Sequence, residues 1–155
     1  MKKQLLLFVM TLLPMVAMAD PVEIDGIYYN LISKTKTAEV TSNSNGYSGD
    51  ILIPSNVCYN GESYAVKKIL SCAFAECQIN SIIISEGIDY IGEQSFRRCS
   101  IKSITIPKSL NKIDRQAFDG CDVLAEVHIT DLEAWCNIDY NVSEYDMYYN
   151  DSYDT

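Results

Sequence analysis

The sequence is poor in the groups that carry most catalytic and polyanion-binding chemistry. Among 155 residues there is one His and one Trp, and 12 Lys and Arg stand against 21 Asp and Glu, a net charge of −9. That balance argues against nucleic acid and anionic membrane as partners, because both are held by basic surfaces that displace counterions or meet acidic headgroups. There is no C-x2-C pair, and with a single His the six cysteines do not have the spacing of a structural zinc site. The length leaves room for one modest domain and no more.

Apolar runs long enough to matter occur only at the start of the chain. Lys2 and Lys3 precede an apolar stretch, then Pro14, then the small-residue site Ala17-Met18-Ala19 before Asp20. This is the order of a secretory signal peptide, with cleavage expected after Ala19. Its apolar part, residues 5–19, falls short of the roughly 20 residues that span a hydrocarbon core. The first cysteine is Cys58, so no lipid-accepting thiol sits at the cleavage site. Residues 20–155 are thus expected to be exported without membrane insertion, to the periplasm, the cell surface or the medium. Without Lys2 and Lys3 they carry 10 basic and 21 acidic side chains.

What is abundant is repetition. Ile69, Ile91 and Ile113 are spaced by 22 residues, as are Phe74, Phe96 and Phe118, and Cys77, Cys99 and Cys121. Each Cys is followed by an Ile-x-Ile or Val-x-Ile segment, at residues 82–84, 104–106 and 127–129, the third copy having one added residue before its strand. An incomplete copy, residues 51–54, precedes them, with residues 58–64 read as an extra loop. A period of 22 lies in the range where each unit supplies one short strand and one helical or irregular return segment. Alternation then places Ile82, Ile84, Ile104, Ile106, Val127 and Ile129 on the core face. The three phenylalanines stack opposite them, each contributing about 2 kcal/mol by burial.

The pattern Ile…Ala-Phe-x-x-Cys…Ile/Leu…Ile-x-Ile-Pro resembles the BspA-like branch of leucine-rich repeat proteins. The resemblance implies a leucine-rich repeat solenoid, mainly β to α/β, with short parallel strands on one face and helical or irregular returns. It also implies an exported bacterial protein and, by analogy with some members, an adhesin or a binder of host-matrix or cell-surface protein. Residues 23–32 and 38–41 resemble the hairpin that opens such proteins, and residues 131–136 a segment that closes the array. The expected organisation is a signal peptide over 1–19, a β-hairpin cap over 20–49, repeats over 50–130, and a cap helix with an acidic, Tyr-rich tail over 131–155. Asp131 is the expected N-cap, Leu132 and Trp135 are spaced to face the last repeat, and the chain from Asp139 on reads as a loosely ordered tail.

Chemistry-bearing residues are few. Cys77, Cys99 and Cys121 share one repeat position and are expected as buried free thiols, small hydrophobes pointing the same way. Cys58, Cys72 and Cys136 stay open to pairing. His128 lacks a repeated acidic or nucleophilic companion, and a hydrolase would need Ser81 or Ser103 within about 3 Å of it. The chain is therefore read as a non-enzyme with no catalytic residue, cofactor or metal. The faint calcium-loop spacing at Asp139, Asn141 and Ser143 lacks the loop's Gly and closing Glu.

What survives is a surface. Positions equivalent across repeats form columns: Leu52, Ile83, Thr105 and His128 in one, flanked by Asp50, Ser81, Ser103 and Glu126, and by Pro54, Ser85, Pro107 and Thr130. Leu52 and Ile83 are apolar where the core needs nothing, so this strand face is the candidate ligand-binding surface. Arg97, Arg98, Lys102, Lys108, Lys112 and Arg115 form a basic cluster opposed in its own span only by Asp114. Three functions remain: recognition of a host-matrix or cell-surface protein, a structural or assembly role in the cell envelope with no dedicated ligand, and glycan capture through Tyr140, Tyr145, Tyr148, Tyr149 and Tyr153. Oligomeric state is left open.

Overall fold

A computed structural model describes residues 20–141; the expected signal peptide lies outside them. The chain forms strands β1 (Val22–Ile24), β2 (Ile27–Ile32), β3 (Thr37–Val40), β4 (Ser48–Ile53), β5 (Asn56–Tyr59), β6 (Glu62–Ile69), β7 (Gln78–Ile84), β8 (Tyr90–Ile91), β9 (Ser103–Ile106), β10 (Lys112–Asp114) and β11 (Glu126–Ile129). Helix α1 (Leu132–Cys136) and strand β12 (Asp139–Asn141) follow. The strands make two sheets. One is wholly parallel, in the order β11-β9-β7-β4. The other runs β1-β2-β3-β6-β8-β10-β12, with β5 paired to β6. From β3 onward the chain alternates between the sheets, apart from the added β5 strand that pairs with β6, so each repeat is one turn of a mainly β solenoid.

The return segments differ from the expectation. They hold a second set of parallel strands, β6, β8, β10 and β12, which pair in register, Ile69 with Ile91, Ile91 with Ile113 and Ile113 with Tyr140. At the corners the backbone closes tight turns while alternate amides reach the next coil: Phe74 N donates to Ser95 O at 2.7 Å and Phe96 N to Ala117 O at 2.8 Å. Cys72, Gln94 and Gln116, at one repeat position, all hold φ near 55°. The corner is therefore a hydrogen-bonded ladder in its own right, which satisfies polar backbone that a buried loop would orphan. Gly92 is needed beside it, because a Cβ there would lie 2.6 Å from Ser71 N.

Two more segments depart from the reading. Residues 58–64 are the heart of the antiparallel β5–β6 hairpin, turned at Asn60-Gly61 with φ of 50° and 80°. Both central residues of a two-residue turn at positive φ match the right-handed twist of the flanking strands, which is why Asn-Gly sits there. Residues 139–141, expected as tail, form β12 and pair in parallel with β10.

The core lies between the sheets. Ile53, Ile82, Ile84, Ile104 and Ile106 enter it from the parallel sheet, and Val66, Ile69, Ile88, Ile91 and Leu110 from the opposite side. Phe74, Phe96 and Phe118 stack at 5.2 and 5.1 Å with rings within 5° of parallel, and Tyr47 extends the column at 4.8 Å from Phe74. At the N-terminal side β1, β2 and β3 pair antiparallel in turn and bury Ile27, Tyr29, Ala38 and Val40.

The far end is not closed in the same way. Val127 and Ile129, expected in the core, are 46% and 36% exposed, because no further rung lies beside β11 among the described residues. Asp131 caps α1 by accepting from Ala134 N at 2.9 Å, and Trp135 packs half-buried against the core. Leu132 does not face the last repeat; it is 67% exposed.

Candidate functional site

The strand face expected from the sequence forms with its columns in register. Leu52 pairs with Ile83, Ile83 with Thr105, and Thr105 with His128. Asp50, Ser81, Ser103 and Glu126 form the adjoining column through the same ladders. Strands lie about 4.8 Å apart in such a sheet, so side chains within a column touch their neighbours. Leu52 and Ile83 are 58% and 48% exposed and side by side. The Ser81 hydroxyl donates to Asp50 Oδ1 at 2.7 Å, so part of the polar border is ordered. The third column holds together just beyond the strands, where Ser85 N donates to Ile53 O and Thr130 N to Ile106 O.

At the N-terminal side this face runs into a groove that the columns did not announce. A cavity of about 540 Å³ lies between the free edge of β4 and the β1–β2 turn, with Leu52 on its rim and Ile24, Ile27, Ile51 and Val57 among its walls. Among the described residues β4 pairs only with β7, and no other described strand lies along its outer edge. An exposed parallel edge beside an apolar groove is the geometry that accepts an added strand. The groove escaped sequence reasoning because it depends on where the hairpin cap packs, and repeat period says nothing about that. Asp25-Gly26, the turn that forms one wall, was its one legible trace.

The chemistry-bearing residues are dispersed. His128 Nε2 lies 3.0 Å from Glu126 Oε2 on its own strand, and the ladder sets Ser103 on the neighbouring strand and Ser81 two strands away. Asp139 and Asn141 sit in an extended strand, and Asn141 Nδ2 donates to Asp114 Oδ1 at 3.1 Å. Ser143 and the tyrosines beyond Tyr140 lie outside the described residues. Tyr140 meets Trp135 edge-on at 6.1 Å.

The six cysteines are unpaired. Cys77 and Cys99 are buried and Cys121 half-buried, and burial pushes all three thiols up, that of Cys99 to about 11. Cys58, Cys72 and Cys136 are exposed. The basic cluster is not a bare patch: Arg97 meets Asp119 at 3.6 Å, Arg98 meets Glu76 at 4.0 Å, and Arg115 meets Glu93 at 2.9 Å. Counting acids only along the sequence missed those from neighbouring coils.

Fold and face together define a repeat solenoid with an exposed parallel sheet face, and comparison with known proteins gives its family. The BspA type leucine rich repeat region matches residues 53–142 in six copies, so the chain belongs to that family. Solved structures agree. A leucine rich cell surface protein from Faecalibacterium prausnitzii is 26% identical with a TM-score of 0.59, over 71% of this chain and 31% of that one. A leucine-rich repeat protein from Bacteroides ovatus is 30% identical at 0.61, over 77% and 33%. One from Bacteroides capillosus, 23% identical at 0.61 over 80% and 99%, shares the fold. The chain spans about a third of the length of the first two. No curated protein matches it. Among the described residues no helix is long and apolar enough to cross a membrane.

Proposed function

We propose that this protein is an exported, non-enzymatic binding module of the bacterial cell surface that recognises a host-matrix or neighbouring-cell protein through its parallel strand face. The observation that carries the reading is the exposed Leu52–Ile83 pair running into the groove at the open edge of β4. An apolar strip bordered by Asp50, Ser81 and Ser103 gives a partner both buried area and directional hydrogen bonds. Family membership and the likeness to a cell surface protein support the location.

The test is capture from extracellular-matrix and cell-surface extracts at physiological salt, using residues 20–155 and a variant with Leu52→Asp and Ile83→Asp. Both side chains point outward, so the variant is expected to keep the parental melting temperature and lose the partner. A partner bound equally by both proteins removes the site from the strand face. Nothing bound by either shifts the reading to a structural role in the envelope.

A further inference from the structure

Resting on the strand-face reading above, we propose that the groove at the edge of β4 takes an extended segment of a partner protein, added to β4 as a parallel strand. That segment has a Lys or Arg opposite Asp50 and apolar residues opposite Ile51, Leu52 and Ile53. Every wall of the groove comes from residues 24–57.

Place in the stack sets the apolar part. Ile51, Ile82 and Ile104 share one ladder position, yet Ile82 and Ile104 are each 1% exposed and Ile51 is only half-buried. Ile82 has Ile51 on one side and Ile104 on the other; among the described residues Ile51 has such a neighbour on one side alone. An apolar side chain facing Ile51 enters the groove between it and Ile24, Ile27 and Val57, and covers Ile51 as Ile51 covers Ile82. On the other side of the pleat, an apolar residue facing Leu52 lengthens the Leu52–Ile83 strip. The register shift between Gly49 and Asp50 ends the regular ladder, so the added strand begins at Asp50.

Charge sets the polar part. Asp25 and Asp50 line the groove and no Lys or Arg does, and neither carboxylate has an ion-pair partner among the described residues. A cation directly across the ladder from Asp50 makes a favourable cross-strand pair, beside the Ser81 hydroxyl that already donates to it. The same column tells against a second copy of this chain. Its exposed apolar edge strand, β11, set with Val127 against Ile51, would bring Glu126 opposite Asp50, and like charges in that position repel.

The experiment is fluorescence anisotropy of the full chain with a labelled peptide, Ser-Arg-Val-Leu-Val-Thr, and with the same peptide carrying Glu in place of Arg. The Arg peptide is expected to bind, and the Glu peptide to bind at least about tenfold more weakly. Asp50→Lys is expected to reverse that order at an unchanged melting temperature, and the reversal itself reports that the variant is folded. Two N-methylated forms of the Arg peptide test for strand addition, one methylated at both valines and the other at arginine and leucine. Alternate amides of a strand face opposite edges, so one form is expected to bind and the other to fail. No binding of the Arg peptide, a preference untouched by Asp50→Lys, or equal behaviour of the two methylated forms overturns the proposal. So does a matrix partner lost with Leu52→Asp and Ile83→Asp but bound equally by Asp50→Lys, an outcome that leaves the strand-face reading standing.

Discussion

Two rungs of this solenoid carry nearly the same pattern and live in different surroundings. In the inner rung Phe96, Cys99, Ile104 and Ile106 are all at most 3% exposed; in the last rung Phe118 and Cys121 are half-buried while Val127 and Ile129 stand 46% and 36% exposed. Backbone register is shared to the residue, Ile104 facing Val127 and Ile106 facing Ile129. Burial in a stacked array is thus a property of place in the stack: a side chain needs a coil on each side, and one side chain's own type decides only which way it points. The N-terminal end meets this need with the β1–β2–β3 hairpins, and the C-terminal end with a five-residue helix that buries none of its own residues fully.

The sharpest way to break the comparison is to remove the same ring from both rungs. Phe96→Ala empties a site closed on both sides and is expected to cost about 3–5 kcal/mol. Phe118→Ala removes a ring that, among the described residues, keeps one face open to a groove beside Trp135, so its cost is expected to be about half of that. Urea unfolding of both variants reads the difference. Equal losses would mean that the last rung is packed as tightly as the inner one.

Much of the lateral organisation was legible from spacing alone. A period kept through Ile69, Ile91 and Ile113 fixes which residues become cross-strand partners, and the three columns of the strand face follow from it. The second sheet was harder to see because β8 is two residues long and is followed at once by Gly92; strands so short carry no alternation to detect. The exposure of Val127 and the groove beside Leu52 were not legible, since both depend on what lies next to a rung in space. Asn60-Gly61, by contrast, was a plain hairpin signal within a segment read as a loop.

A second prediction sharpens the comparison on the polar side of the return sheet. The Tyr90 hydroxyl of the inner rung donates to Asp114 of the next, which also accepts from Asn141 of the last. That hydrogen bond to a carboxylate, with burial and the nearby negative charge, pushes the Tyr90 phenol up to about 12 and holds the Asp114 carboxyl below its ordinary value. A phenol whose folded value is raised stabilises the fold fully below pH 10, and that contribution is lost as pH rises toward 12. Tyr90→Phe is expected to cost about 1 kcal/mol at neutral pH and to flatten the alkaline fall. An unchanged alkaline limb in the variant would show that Tyr90 does not tie the rungs together. The acid limb comes from Asp114: its stabilisation is present above its ordinary value and lost as pH falls through the lowered one.

The smallest effect is the most diagnostic of how the corners work. Ser95 stands where the other coils have Ala73 and Ala117, it is fully buried, and its Oγ has no hydrogen-bond partner among the described residues. A hydroxyl stripped of water without a replacement costs free energy, whereas a methyl in the same space costs nothing of the kind. Ser95→Ala is therefore expected to raise stability by up to about 1 kcal/mol, measured as a rise in the urea midpoint at unchanged slope. A loss instead would show that the hydroxyl is hydrogen-bonded in solution. The inner corner would then hold a polar contact that Ala73 and Ala117 cannot make, and the coils would differ where their backbones look alike.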